Sequence, residues 1–366
     1  MQSGFEPLAA EVKPLLLHES VELLMQVGGP AALYVDGSFG QGGHSAEILR
    51  HLAPEGRLVA LDVNQKAEAA RSLSDARLRF VQRSCRDLCQ LFGEEEPAGV
   101  LLDLSVQLSA QEERAKGLSF QADALDGRLT PWARRADEWL KQVTAAELAW
   151  VLQEYGEQSS LLAWRLAEAI LHRQAEKGSA LTSADLAEVC RAVKIVDDRG
   201  LHPAKQVFQA IRVHLNEEIR ELRAALCSAL KSLRCKGRLV VITLRRQEAS
   251  EVKRFLREHE APDLRFAAFV TPRRLVELWP LASTDLPYAC RQLCEPIRAS
   301  AHEVARNPRA KVALLHVPGP WHAAEGSPAA RAVQEAGADW ASAAPHGVPV
   351  QDTVTSTFGS DNREAA

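Results

Sequence analysis

Apolar and polar positions alternate with two different periods along the first hundred residues of the chain. Short continuous apolar runs are typical of buried strands, and apolar positions three or four residues apart are typical of helices. Strands are predicted at 32–36, 57–62, 78–82 and 98–104, and helices near 17–27, 45–52 and 65–73. This alternation of strands and helices predicts an α/β domain.

The pattern becomes wholly helical between residues 133 and 195, where Leu161, Leu166 and Ile170 recur at helical spacing. The α/β pattern then returns with a helix at 206–233, a buried strand at 238–243 and a last strand at 312–317. A helical insert therefore interrupts the α/β domain.

The predicted organisation has three parts. Residues 1–104 and 202–317 form the α/β domain, and residues 105–201 form a mostly helical insert. Residues 318–366 are rich in Ala, Gly, Pro, Ser and Thr with little periodicity, and we expect them to be disordered.

A glycine-rich loop stands between the first predicted strand and the helix that follows it. The segment reads Leu33-Tyr-Val-Asp-Gly-Ser-Phe-Gly-Gln-Gly-Gly-His44. Glycines let a backbone approach a ligand closely, and a helix N-terminus favours a negative group. Asp62 closes the next strand, where such folds bind ribose hydroxyls. We therefore expect an adenosine-containing ligand, with an ordinary glycine turn as the alternative.

The loop lacks both the Gly-x-Gly-x-x-Gly of dinucleotide binders and the Lys-Ser/Thr of a phosphate loop. Asp36 would repel a pyrophosphate but would suit the ammonium group of a methionine moiety. S-adenosylmethionine is therefore favoured over NAD, and NAD-dependent oxidoreduction is disfavoured.

Composition narrows the class of protein further. The chain has 366 residues, of which 46% are hydrophobic, and this is enough for one large or two smaller domains. No apolar run is long enough to span a membrane, and no signal or transit peptide is evident. The seven cysteines are scattered without a Cys-x-x-Cys pair, which makes zinc improbable and predicts free thiols in a reducing compartment.

The net charge of −4 excludes a chain that is basic throughout, so any contact with RNA must be local. Three basic clusters lie within seventy residues and favour nucleic-acid binding, although each is also typical of a solvated face. Their members are Arg245, Arg246, Lys253, Arg254 and Arg257, then Arg273 and Arg274, then Arg306, Arg309 and Lys311.

The chain resembles the MraW-type family, the N4-cytosine methyltransferases of small-subunit ribosomal RNA. The matching segments are collinear over about residues 17–317. They are Tyr34-Val-Asp-Gly-Ser-Phe-Gly-Gln-Gly-Gly-His-Ser45, Gly56-Arg-Leu-Val-Ala-Leu-Asp62, Leu101-Leu-Asp-Leu104, Gly117-Leu-Ser-Phe120, Tyr155-Gly-Glu157, His202-Pro-Ala204, Phe208-Gln-Ala-Ile-Arg212, Asn216-Glu-Glu218, Val252-Lys-Arg-Phe255 and Ala305-Arg-Asn-Pro-Arg-Ala310. The resemblance implies a Rossmann-like class I methyltransferase with a helical insert, dependent on S-adenosylmethionine.

The resemblance also implies the residues of the cofactor site. Gly42, Gly43 and His44 match the family's adenosylmethionine loop, Asp62 its ribose-binding acid, and Asp103 the acid that closes its fourth strand. The full set of expected cofactor residues is Asp36, Gly40, Gly42, Gly43, His44, Asp62, Cys85, Asp103 and Ala110.

Two of these positions depart from the family pattern. Cys85 stands where the family has phenylalanine, and Ala110 stands where it has glutamine. Two whole segments are also substituted: residues 105–110 read Ser-Val-Gln-Leu-Ser-Ala, and residues 244–250 lose a histidine and an aspartate. Whether Arg245 and Arg246 offset that loss by binding phosphate is a hypothesis.

Methyl transfer to a cytosine amine needs a positioned acceptor for the amine protons, and Asp103 is the expected catalytic residue. The target base must leave its stack, and an aromatic or apolar pocket receives it. Phe120 and Phe208 are candidates for that wall, and His202, Arg212 and Asn216 are candidate substrate contacts. Core packing for the phenylalanines and a turn role for His202 are the alternatives.

Two hypotheses from different classes follow. The first is an active methyltransferase acting on a cytidine of small-subunit ribosomal RNA, either free or in the small ribosomal subunit. The second is a catalytically weak relative that binds the cofactor or the ribosome as an assembly factor, motivated by the substituted segments. The expected location is cytoplasmic, with a mitochondrial or plastid matrix as the alternative. The oligomeric state is not predicted.

Overall fold

The computed structural model describes residues 13–64, 73–93, 95–104, 114–119, 122, 124–193, 202–234, 236–260, 269–280 and 289–321. The strands are β1 Leu33–Asp36, β2 Arg57–Asp62, β3 Leu78–Gln82, β4 Gly99–Asp103, β5 Arg238–Thr243, β6 Ala289–Gln292, β7 Ile297–Arg298, β8 Leu314–His316 and β9 Pro318–Trp321. The strands predicted at 32–36, 57–62, 78–82, 98–104 and 238–243 are therefore confirmed.

Helices in the described ranges surround these strands. They are α1 Leu17–Met25, α2 Gly43–His51, α3 Ala136–Leu140, α4 Ala145–Gly156, α5 Ser160–Lys177, α6 Ser183–Val193, α7 Lys205–Leu215, α8 Glu218–Ser232, α9 Arg246–His259, α10 Pro272–Leu278 and α11 Ala301–Arg306. Short 3-10 helices span Cys85–Gln90 and Pro308–Val312. The helices predicted near 17–27 and 45–52 and in the 133–195 region are confirmed, and the one predicted at 65–73 lies almost wholly outside the described residues.

Seven of the described strands form one sheet in the order β3-β2-β1-β4-β5-β8-β7. The first five strands in this order are parallel, whereas β8 is antiparallel to both β5 and β7. The order reverses between β1 and β4. Ligands of open α/β sheets bind at such a reversal, beyond the carboxyl ends of the strands.

Helices cover both faces of this sheet. Val35, Val100 and Val241 contribute to a core on one face with α8 and α9. Tyr34, Leu101 and Ile242 point the other way, into a core with α1 and α2. Each of these strands is buried on both faces, which explains its continuous apolar sequence.

The helical region has a core of its own, built from α3 to α6. Helix α7 also belongs to this core through Val207, Phe208 and Ile211, although the sequence pattern places residues 202–215 with the α/β domain. The domain boundaries themselves stay a prediction.

The single helix predicted at 206–233 is wrong, because two helices, α7 and α8, occupy this region. The chain breaks at Asn216 and Glu217, where Glu217 adopts a left-handed conformation with φ of 49°. The Asn216 side chain receives a hydrogen bond from the Leu129 amide at 2.7 Å and donates one to the Gly127 carbonyl at 3.0 Å. These two bonds therefore connect residues 127–129 of the insert to the end of α7.

The C-terminal region also differs from the sequence pattern. A 3-10 helix replaces the first residue of the strand predicted at 312–317, and the strand itself covers Leu314–His316. The pattern assigns residues 318–321 to a disordered tail, but they form β9, which pairs with β6. At these four residues the prediction is wrong, and residues 322–366 lie outside the described part of the chain.

Other expectations concern cysteines, metals and membranes. The six cysteines within the described ranges are free thiols, and those ranges hold no group of three or more His, Cys, Asp or Glu side chains suited to a metal ion. No described helix is both long enough and apolar enough to cross a membrane.

A fully buried histidine at the end of β8 should make folding sensitive to acid. The Thr243 hydroxyl lies 3.1 Å from Nε2 of His316, and burial, assisted by nearby Lys253, lowers the pKa of His316 to about 4 from the usual 6.5. Between these two pKa values the unfolded chain therefore binds a proton at His316 that the folded chain does not bind. The contribution of His316 to stability is present above pH 6.5 and is lost as the pH falls towards 4.

We expect His316 to lower the free energy of unfolding by about 2 kcal/mol between pH 7 and pH 5. Urea denaturation at the two pH values measures this change. His316→Gln should reduce the difference by that amount, whereas the exposed-site control His172→Gln should leave it intact. An equal pH dependence in native protein and His316→Gln would contradict the assignment.

Candidate active site

The glycine loop crosses the carboxyl edge of the sheet directly after β1. The Gly37 amide donates to the Leu101 carbonyl and the Phe39 amide to the Leu61 carbonyl, both at 2.8 Å. A Cβ on Gly37 would lie 2.6 Å from the Leu102 side chain, so only glycine fits this close approach. The loop is thereby held against β4 and β2.

Gly42 and Gly43 lie further along the loop, where α2 begins. Gly42 has φ of +81°, a conformation that favours glycine, and a Cβ there would lie 2.9 Å from the Phe39 ring. A Cβ on Gly43 would lie 2.9 Å from Pro14. These two glycines set the turn and the packing beneath the loop, and neither belongs to the lining of the cleft described below.

Asp62 at the end of β2 anchors the tip of the loop. Its Oδ2 accepts a hydrogen bond from the Gly40 amide at 3.0 Å, and its Oδ1 accepts from the Asn64 amide at 2.8 Å and the Asn64 side chain at 3.2 Å. A carboxylate has about four lone-pair sites. The half-buried group therefore keeps acceptor capacity for a hydroxyl in the cleft.

Asp36 does not face a ligand as the sequence pattern suggested. It is completely buried, with its carboxylate bonded to the Ser45 hydroxyl at 2.6 Å and the Ser38 amide at 3.1 Å. Burial raises the pKa of Asp36, with His44 acting in the opposite direction. Asp36 thus stabilises the loop from below, and the proposed contact with a methionine ammonium group is wrong.

Asp103 closes β4 beside the loop and is only 4% exposed. Its amide donates to the Ser38 hydroxyl at 2.6 Å. Nδ1 of His44 lies 3.7 Å from Oδ2 of Asp103, while Nε2 of His44 lies 3.0 Å from the Leu15 carbonyl. Because a carbonyl only accepts, Nε2 carries a proton. Nδ1 of His44 faces the carboxylate across this 3.7 Å gap, so the buried His44 ring packs beside Asp103 at the edge of the loop.

These residues border a cleft of about 610 Å³ between the sheet edge and the helical region. Gly37, Gly40, Asp62, Cys85 and Asp103 line its sheet side. Burial raises the pKa of the Cys85 thiol to about 12, so this side chain is a neutral, weakly polar surface. The helical side contributes residues 129, 130 and 132–134, and the α7–α8 break contributes Asn216, Glu217 and Glu218.

The shape and chemistry of the cleft fit S-adenosylmethionine. The glycine loop lets the backbone approach a methionine moiety, Asp62 offers acceptors for ribose hydroxyls, and Cys85 offers a small apolar face for a base. We expect Gly40, Asp62 and Cys85 to hold the cofactor. Asp103 then lies across the loop from Asp62, at the end of β4, which β1 separates from β2.

A network of buried charges forms another wall of the cleft. Glu218 accepts from Nε of Arg212 at 2.8 Å and from Nη2 of Arg245 at 2.5 Å. Burial raises the pKa of Glu218, but the two guanidiniums outweigh it and the pKa is lowered. Glu248 in turn accepts from Nε of Arg245 at 2.6 Å and from the Arg245 amide at 3.0 Å.

This network corrects two expectations. Arg212 contacts Glu218 and lies behind the cleft wall, so it acts on a substrate only through that wall. Arg245 uses Nε and Nη2 on carboxylates, which disfavours it as a phosphate ligand. The substituted segment 244–250 is therefore an ordered part of the wall.

The other candidate substrate residues are scattered. Phe208 is 7% exposed and lies in the helical core, so its role in the pocket wall is wrong. Nδ1 of His202 accepts from the Ala204 amide at 3.2 Å, as in a helix-start turn, away from the lining of the cleft. Asn216 does line it. Ala110 and Phe120 lie outside the described residues.

Trp132 is a candidate that sequence reasoning missed. It lines the helical side of the cleft, and 73% of it is exposed, an unusual state for so large an apolar side chain. Helical spacing carries no signal for it because it lies before α3, in a segment without regular structure. Its one sequence signal is an aromatic residue directly after Pro131.

The sheet order with its antiparallel strand β8, and the cleft at the β1–β4 reversal, define a Rossmann-like class I methyltransferase fold with a helical insert. Comparison with known proteins gives the particular family. The model of the MraW methylase family matches residues 9–318, and the chain belongs to this family. Both the expected fold and the expected cofactor, S-adenosylmethionine, are confirmed.

Curated relatives agree with this assignment. The chain is 38% identical over 314 residues to ribosomal RNA small subunit methyltransferase H of Burkholderia vietnamiensis, covering 83% of this chain and 96% of the relative. It is 39% identical over 313 residues to the enzyme of the same name from Cupriavidus pinatubonensis, covering 83% and 91%. A solved rRNA methylase from Streptococcus thermophilus is similar with a TM-score of 0.35 at 9% identity, covering 86% of this chain and 100% of that one. Both curated relatives are, by name, methyltransferases of small-subunit ribosomal RNA.

Proposed function

We propose that the protein transfers a methyl group from S-adenosylmethionine to the N4 atom of a cytidine in small-subunit ribosomal RNA. The observation that carries this proposal is Asp103, a buried acid at the end of β4 that lines the cofactor cleft, with its backbone amide bonded to Ser38 and its carboxylate 3.7 Å from His44. A carboxylate at this place suits an acceptor that carries N–H groups.

The cofactor supplies an electrophilic methyl group on a sulfonium. Cytosine N4 is a weak nucleophile because its lone pair is delocalised into the ring. By accepting a hydrogen bond from the amine, Asp103 would turn the nitrogen lone pair towards the methyl carbon. Formation of the N–C bond would accompany cleavage of the methyl–sulfur bond, whose electron pair would stay on sulfur, and Asp103 would accept one amine proton.

His44 and Asp62 would support this step without touching the reacting atoms. His44 is buried, and its ring, held at the Leu15 carbonyl, would limit the space open to the Asp103 carboxylate 3.7 Å away. Asp62 would bind ribose hydroxyls while its bond to Gly40 keeps the loop closed. Burial of Asp103 lowers the local dielectric, which strengthens its hydrogen bond to the amine.

Trp132 would receive the target base or its neighbour. A base that leaves its stack needs a new surface, and stacking on an aromatic ring contributes about 1–3 kcal/mol per base. We expect Trp132→Ala to lower kcat/KM for RNA by about 10- to 100-fold. Trp132→Phe should retain most of the activity, and the affinity for S-adenosylmethionine should stay the same in both.

The matched control is Trp164→Ala, which removes another exposed tryptophan of the helical region, one that bonds to Glu168 outside the cleft. Methylation assays at varied RNA concentration give the comparison. If Trp132→Ala methylates RNA as fast as Trp164→Ala, Trp132 has no role in binding the base.

Identification of the methylated nucleoside tests whether the enzyme is specific for N4 of cytidine. Small ribosomal subunits lacking the modification are incubated with the protein and S-adenosylmethionine, and the RNA is digested and analysed by mass spectrometry. N4-methylcytidine is the expected product. A methyl group on another atom or another base would overturn the N4 assignment while leaving the methyltransferase class intact.

A further inference from the structure

A second groove of about 560 Å³ lies beside the methyl-transfer cleft. The end of α4 and the start of α7 form its helical side, and the β5–α9 junction, β7 and the 3-10 helix Pro308–Val312 form its sheet side. Arg245 lines both the groove and the cleft. The two depressions are therefore adjacent across one side chain.

The groove concentrates positive charge in a chain whose net charge is −4. Five exposed basic residues line it in addition to Arg245, and among the described residues of its lining Glu157 is the one acid. The five are Lys205, Arg246, Lys253, Arg298 and Lys311. We call this surface the basic groove.

None of these five side chains forms an ion pair or hydrogen bond within the described part of the chain, whereas several neighbouring surface cations do. Arg254, one residue after Lys253, pairs with Glu251, and Arg273 and Arg274 both pair with Glu277. Like charges held together without counter-charges repel each other, and an anionic partner removes that cost.

The five residues come from distant parts of the chain. Lys205 belongs to α7, Arg246 and Lys253 to α9, Arg298 to β7, and Lys311 to the last 3-10 helix. Only the fold brings them together, from both sides of the boundary between insert and sheet. An aromatic ring, Tyr155, lies among them, and Trp150 supports it with a ring-centroid distance of 5.6 Å.

We propose that the basic groove binds the phosphodiester backbone of the RNA segment next to the target nucleotide. This inference rests on the proposed function and adds the path of the RNA to it. Cations that follow a groove together with an aromatic ring are typical of single-stranded nucleic-acid sites. A strand whose target base enters the cleft would pass Arg245 and continue into the basic groove.

The test compares two double variants of equal charge. Arg246→Gln with Lys311→Gln removes two exposed cations of the basic groove, and Arg273→Gln with Arg274→Gln removes two exposed cations elsewhere. Binding of naked small-subunit ribosomal RNA is measured at several salt concentrations in the absence of cofactor. Titration with S-adenosylmethionine confirms that each variant is folded.

The slope of log K against log salt concentration reports how many phosphates the protein neutralises. It changes by about 0.7 for each phosphate of a single strand, so the groove variant should have a slope shallower by about 1.4. The control variant should keep the native slope.

Equal slopes in native protein and the groove variant would overturn the proposal. Since no turnover is measured, a failure of N4 methylation itself remains distinct from this result.

Discussion

Asp103→Asn should abolish most methyl transfer while the protein still folds and binds S-adenosylmethionine. The amide keeps the size of the carboxylate, so the cleft and the contact of the Asp103 amide with Ser38 are preserved. It removes the negative charge and one of two acceptor oxygens. A positioned acid–base group contributes about 10²- to 10⁴-fold, and we expect a loss of about that size in the single-turnover rate.

Asp103→Glu is the matched variant, since it restores the charge on a side chain one methylene longer. We expect it to be slower than the native protein but faster than Asp103→Asn. Single-turnover transfer of tritiated methyl groups into small ribosomal subunits gives the rates, and calorimetric titration gives the cofactor affinity. A rate for Asp103→Asn within a few-fold of the native one would remove Asp103 from the mechanism.

Asp62→Ala should have its largest effect on the cofactor. It removes the acceptor expected to bind ribose hydroxyls and frees Gly40 and Asn64, which hold the loop tip. Hydrogen bonds to a charged group contribute about 1.5–3 kcal/mol each. Removal of the two bonds expected to the ribose hydroxyls predicts a rise in Kd for S-adenosylmethionine of at least about 100-fold, measured by calorimetry.

Glu55→Ala is the control for this experiment, because Glu55 is an exposed acid of the same domain in the turn before β2. It should leave the Kd unchanged. The rate of methyl transfer by Asp62→Ala should recover in part at high cofactor concentration, since the acid at Asp103 is intact. Native affinity in Asp62→Ala would place the ribose elsewhere in the cleft.

Local patterns in the sequence predicted most of the sheet and its helices. Strands buried on both faces are continuously apolar, and the glycine loop follows β1 directly, so both features depend on near neighbours alone. The break between α7 and α8 had no such signal. Glu217 adopts its left-handed conformation because Asn216 is bonded to Gly127 and Leu129, almost ninety residues away.

The candidate site was predicted less completely, for a similar reason. The sequence places Asp36 and Asp103 at strand ends, but it does not show that Asp36 turns under the loop while Asp103 borders the cleft. Phe208 matches a family segment, yet its face of α7 packs into the helical core. The place of Trp132 in the cleft and the assembly of the basic groove depend on tertiary contacts, which the local spacing of apolar residues does not show.

The substituted segment 244–250 motivated a catalytically weak assembly factor as the alternative. In the structure, Arg245 lies in this segment and is bonded to both Glu218 and Glu248. The wall of the cleft is thus an ordered network of charges, and this favours the active enzyme. Segment 105–110 lies outside the described residues and bears on neither hypothesis.

One measurement separates these two hypotheses directly. Small ribosomal subunits lacking the N4 mark are incubated with the native protein and tritiated S-adenosylmethionine, and incorporation into RNA is followed over time. We predict incorporation that approaches one methyl group per subunit over many turnovers. Tight cofactor binding without incorporation into either subunits or naked RNA would contradict an active enzyme and establish a binding protein in its place.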